Sequence, residues 1–204
     1  MLVMMVLSIS LLMDHAHARE NNAKKSSGAP NAGKTRAPYV PVLRIPLRVH
    51  LSMSKRPVKE WMVILEEINR IWWSQAGICF EIEAVMHDTI LKDGMDIWFS
   101  PPADEGVVLN GYFEGAHDIW VRDTPKLRSA PNPARHRAAR TAAHEFGHGL
   151  GLNHRQDSDD NLMRSQTLGW RLNAKEVGTV RKHAASIALP DRKPSRCKAP
   201  ILTP

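Results

Sequence analysis

The sequence has no apolar run long enough to cross a bilayer as a helix. Spanning takes ~20 apolar residues, and the run at the start, Leu2 to Met13, falls short of that. No Lys or Arg precedes this run. It is followed by Ala16-His17-Ala18, the small-x-small pattern at which signal peptidases cut. Residues 1–18 therefore read as a signal peptide, and the expectation is a secreted or periplasmic chain without stable membrane insertion. Cysteine is scarce, with only Cys79 and Cys197. In an oxidising compartment that even count permits one disulfide, tying the C-terminal tail to the strand after the first helix; two free thiols are the alternative. Internal repeats are absent, so the chain between its tails reads as one continuous domain. The charge balance is basic, at +7. Such a balance permits acidic partners, but several of the charges lie in the two tails, where they keep a polar segment solvated. No nucleic-acid partner is expected.

Residues 19–42 are polar, basic and rich in Ala, Gly and Pro, which marks a flexible arm or short propeptide. The stretch has no cysteine and so offers no thiolate to a metal. Residues 190–204 hold four prolines and read as an irregular tail. Residues 43–189 form the domain. Leu43, Ile45, Leu47, Val49 and Leu51 alternate as one face of a strand. Pro46 within it suggests an edge position or a bulge. Pro57 opens a helix whose apolar face is Val58, Trp61, Met62, Leu65, Ile68 and Trp72, and Gly77 ends it. A second strand, Ile78 to Val85, places Ile78, Phe80, Ile82 and Ala84 on one face, and Met95 to Phe99 is a third. Val107–Tyr112 and Asp118–Val121 are short extended segments, although Asn110-Gly111 also fits a tight hairpin turn. Asn132-Pro133 caps a helix running to about Gly149. Asn173, with Glu176 three residues on, forms a capping-box pattern for a last helix to about Ala188.

Of the ten histidines, three cluster in the run His144-Glu145-Phe146-Gly147-His148-Gly149-Leu150-Gly151-Leu152-Asn153-His154. On a helix, His144 and His148 stand one turn apart on one face, so both imidazoles reach one cation. Glu145 beside them can take a proton from water at the metal. Gly149 and Gly151 let the helix stop and the chain turn, which returns His154 as a third ligand. Three protein ligands and an open fourth position are the arrangement of a catalytic zinc site, whereas a structural site fills all four with protein. A core helix with satisfied histidines has no reason to hold these residues in register.

His-Glu-x-x-His-x-x-Gly-x-x-His followed by a methionine in a turn resembles the signature of the metzincin metallopeptidases. The stretch from Ala143 to His154 looks most like the matrixins. Asn161-Leu162-Met163 is similar to the family's Met-turn, which lies beneath the metal and ligates nothing. The resemblance spans about residues 43–188, with only 144–163 highly specific. It implies an α+β domain: a twisted mixed five-stranded sheet, a backing helix, a central zinc helix and a C-terminal helix. It also implies one catalytic Zn2+ held by His144, His148 and His154, with Glu145 as catalytic base and Gly151 as turn glycine. A monomeric endopeptidase would bind an extended peptide along the strand near Val107–Tyr112. Residues 164–170 would form a wall of the pocket beyond the scissile bond. The chain departs from the matrixins in three places. It has no propeptide cysteine, Arg155 stands where serine is usual, and Ser165 stands where some relatives carry a tyrosine near the zinc. A non-catalytic zinc-containing binding module and a hydrolase of non-peptide amides are the alternatives.

Further candidates are weaker. Asp157, Asp159 and Asp160 could bind calcium, but their spacing matches no known loop and a solvated turn is the simpler reading. His117-Asp118 could hold a second metal. The six tryptophans read as core rather than as a carbohydrate-stacking face. Lys126, Arg128, Arg135, Arg137 and Arg140 could form a basic rim. Glu176 is assigned to capping, not ligation.

Overall fold

The computed structural model describes residues 41–54, 56–86, 95–100, 110–115, 118–122, 137–165, 169–190 and Cys197. The expected signal, almost all of the arm, the expected helix start at Asn132-Pro133 and most of the tail lie outside these residues. The described elements run β1 (Leu43–His50), α1 (Val58–Ala76), β2 (Ile78–Met86), β3 (Met95–Ser100), β4 (Gly111–Phe113), β5 (Asp118–Arg122), α2 (Arg137–Gly149) and α3 (Ala174–Ile187). The strands form one mixed sheet in the order β2-β1-β3-β5-β4. Four strands are parallel, and β4 alone runs antiparallel, at the edge beside β5. This is an α+β fold.

One face of the sheet is apolar. Ile45, Leu47 and Val49 of β1, Ile97 and Phe99 of β3 and Ile119 and Val121 of β5 are buried under α1 and α2. The buried stripe of α1 is Trp61, Ile64, Ile68, Ile71 and Trp72, while Met62 is 47% exposed. The packed face is thus rotated toward Ile64 and Ile71 from the face expected. Gly77 ends α1 with φ 62, its N–H donating to the Trp73 carbonyl, a conformation that costs glycine nothing. Among the described residues no helix is long and apolar enough to cross a membrane.

Pro46 does not mark an edge, since β1 lies between β2 and β3. Pairing with β3 begins only at Leu47, so Pro46 precedes that ladder and its missing N–H breaks no bond there. A bulge does occur, but Glu83 of β2 is the extra residue: Leu47 faces Ile82 and Arg48 faces Ala84. The inserted residue reverses the alternation, so Val85 rather than Ala84 joins Val49 on the helix side. Of the two readings left open at Asn110-Gly111, the extended one holds. Gly111 starts β4, and the reversal into β5 lies at Gly115, φ 86, where Glu114 donates to the Asp118 carbonyl.

The other face of the sheet is polar and aromatic, yet largely buried. Arg48 donates to Asp96 from Nε at 2.8 Å, His50 meets the same carboxylate at 2.7 Å, and the His50 ring stacks on Trp98. Beyond α3 the chain returns to this sheet, with the Leu189 N–H donating to Arg44 O. Cys197 is joined to Cys79 by a disulfide, with Cα atoms 6.2 Å apart.

Candidate metal centre

The site is built on α2, and small residues set its position. Ala138, Ala139, Ala142 and Ala143 are fully buried and let the helix lie close to its neighbours, while Phe146 stacks on Phe80 with centroids 4.1 Å apart. His144, Glu145 and His148 then face an open cleft of about 520 Å3. The helix ends in a Schellman arrangement: Leu152 N–H donates to Gly147 O at 2.8 Å and Gly151 N–H to His148 O at 2.9 Å. It requires the left-handed conformation at Gly151, φ 84. The chain doubles back there and delivers His154.

The three Nε2 atoms meet at one point. They are 3.2 Å apart for His144–His154 and His144–His148, and 3.1 Å for His148–His154. A tetrahedral ion with metal–nitrogen bonds of 2.0–2.1 Å needs about 3.3 Å between its nitrogens. The tautomers follow from the other ring atoms. His144 Nδ1 faces Leu162 O at 2.7 Å and His148 Nδ1 faces Leu152 O at 2.8 Å. A carbonyl only accepts, so each Nδ1 carries the proton and each Nε2 presents a lone pair. Lone pairs converging at this range repel unless a cation lies among them. The three histidines are the metal-competent cluster among the described residues, and carbonyl-oriented imidazoles are the usual support of such ligands.

Burial shapes the electrostatics. It lowers His144 to about 3, an effect that its bond to Leu162 opposes and the neighbouring histidines reinforce. His148 is lowered as well, again chiefly by burial. Burial raises Glu145 to about 8. Burial thus favours the neutral, protonated form of this carboxyl near neutrality while no cation lies beside it.

Two glycines not singled out by their spacing prove structural to the site. A Cβ on Gly111 would lie 2.6 Å from Thr141 Cγ2 and 3.1 Å from Glu145 Cγ. Its absence lets edge strand β4 press against Glu145. A Cβ on Gly147 would collide with the Met163 thioether, so the fully buried Met163 seats directly against α2. The sequence signal for Gly147 was a glycine inside a helix, which implies close packing. Asn161, read from the sequence only as part of the turn before Met163, also ties that turn to the loop of His154. Its Oδ1 accepts from Met163 N–H at 2.9 Å and its Nδ2 donates to Arg155 O at 2.7 Å.

The weaker candidates separate. Asp157 pairs with Arg155, Asp159 with Arg164 and Asp160 with Arg171, so an arginine faces each of these carboxylates. Arg140 is not part of a rim: it is fully buried and its Nε donates to Gly169 O, fixing the segment that follows the Met163 turn. Arg137 is exposed, and Lys126, Arg128, Arg135 and His117 lie outside the described residues. Trp61, Trp72 and Trp98 are core residues. Glu176 closes the capping box with Asn173 and lies away from the ligand cluster.

Fold and site together define an α+β domain carrying a three-histidine centre able to hold a metal ion. No protein-family model matches the chain, and no curated protein matches it.

Proposed function

We propose that this chain is a secreted zinc-dependent endopeptidase of the metzincin class, most similar to the matrixins. The observation that carries the reading is the convergence of three imidazole Nε2 atoms beside Glu145 in an open cleft. His144, His148 and His154 would hold the ion and leave a coordination position toward solvent, as catalytic zinc sites do. When bound, zinc supplies Lewis acidity, polarising a carbonyl and lowering the pKa of water to ~7. Glu145 accepts the proton of the attacking water and returns it to the leaving amine. The substrate lies extended along β4, the edge strand among the described residues, and Arg164 and Ser165 begin the wall beyond the scissile bond.

The test pairs metal content with cleavage. The chain and its Glu145→Ala variant are assayed for zinc and for hydrolysis of a quenched peptide library. Stoichiometric zinc in both is expected, with cleavage at least ~100-fold slower in the variant. Zinc in both with cleavage by neither favours the binding-module reading, and hydrolysis of simple amides alone favours the non-peptide hydrolase. Absence of zinc from both sinks the proposal.

A further inference from the structure

The three ligands are not supported alike. His144 and His148 each have Nδ1 fixed by a backbone carbonyl. His154 is exposed, and among the described residues no partner engages its Nδ1. A ligand without such a bond keeps its ring free to turn, which weakens metal binding. Its orientation has to be supplied by the backbone that carries it.

That backbone is held at the next residue. Arg155 N–H donates to Met163 O at 3.0 Å, and Arg155 O accepts from Asn161 Nδ2 at 2.7 Å. Its guanidinium donates to both oxygens of Glu176, from Nε at 2.8 Å and from Nη2 at 3.2 Å. Nη1 adds a bond to Asp157. Glu176 is itself fixed, since its Oε2 also accepts from Asn173 N–H at 2.8 Å in the capping box of α3. The loop carrying His154 is thus tied through a forked ion pair to the start of a helix, and by backbone bonds to the turn beneath the site.

We infer that Arg155 is a positioning residue for the metal centre: the clamp by Glu176 fixes the backbone that aims His154. The inference rests on the metal-binding part of the reading above. It extends that reading by assigning the support of the third ligand to a residue that makes no contact with the ion.

The test is zinc affinity of the full chain, measured by competition with a chelator, alongside thermal unfolding without metal. Arg155→Ala is expected to weaken zinc binding ~10–100-fold, the usual effect of losing a ligand's outer support. Arg155→Lys is expected to keep little of the difference, because an ammonium cannot make the forked pair. Glu176→Gln keeps a capping side chain and is expected to fall between them. In a His154→Ala background, Arg155→Ala should cause no further loss, since nothing remains to be aimed. Zinc affinity equal to wild type in Arg155→Ala overturns the inference. So does an equal loss with and without His154, which marks a general effect on folding. If Arg155→Ala does not fold, Arg155→Lys and Glu176→Gln decide by the same criteria. A wild-type chain that binds no zinc defeats the functional reading itself, which tight wild-type binding with unaltered variants does not.

Discussion

Glu145 and His144 pull the stability of the metal-free protein in opposite directions. Glu145 titrates near 8 in the fold against an ordinary value of 4.5. Between these values the unfolded chain releases this proton and the folded one keeps it. The native state therefore binds more protons, and stability falls as pH rises. His144, lowered from 6.5 to about 3, does the reverse: the unfolded chain binds more protons, and stability is lost as pH falls below 6.5. Above pH 6.5 the Glu145 effect stands without opposition from His144. Chelator-treated protein is expected to lose thermal stability from pH 6.5 to 8, and Glu145→Gln to lose much less. At Gly147 the expected cost is steric. Gly147→Ala should destabilise by about 1–3 kcal/mol, the range for overpacking a filled core, read from denaturant unfolding. The ligands were legible in the sequence because one helical turn and one short return set their spacing. The contacts of Gly111, Gly147 and Asn161 were not, because their neighbours Glu145, Met163 and Arg155 reach them through tertiary folding, which no local pattern encodes.

The ends of the elements carry much of the specificity. Gly151 closes α2 at φ 84 with the His183 ring against it. Gly151→Ala adds left-handed strain of about 1–3 kcal/mol and displaces His183. It is expected to lower the unfolding midpoint and to weaken zinc binding by moving His154. Capping chemistry made α3 readable, and Asn173 and Glu176 form the full reciprocal box. The same clarity did not extend to β2. A bulge is set by how two strands meet, so the alternation in Ile78–Val85 identified a strand while placing Ala84 on the wrong face. The edge strand was read as one segment or as a turn because Asn-Gly suits both; pairing with β5 decided for a strand.

At the scale of the molecule, one cross-link holds distant parts of the chain. The disulfide joins Cys79 to Cys197 across 118 positions. Closing so long a loop restricts the unfolded chain, and replacing both cysteines by alanine should cost about 2–5 kcal/mol. Zinc affinity should survive, since β2 lies at the opposite edge of the sheet from β4. Denaturant midpoints and chelator competition on the double variant check the two halves of that expectation. A metal would be the second link, gathering a helix and the loop beyond it, so saturating zinc should raise the unfolding temperature through mass action.

Among the described residues, edge strand β4 runs for three, Gly111 to Phe113. So brief a rail offers few backbone bonds, and two molecules of this protein have little to zip together along it. On the proposed reading a guest strand would gain equally little from it, so binding there would be brief and would reward chains that are already unfolded. An endopeptidase of the proposed kind would thereby spare compact proteins and take loose tails and exposed loops.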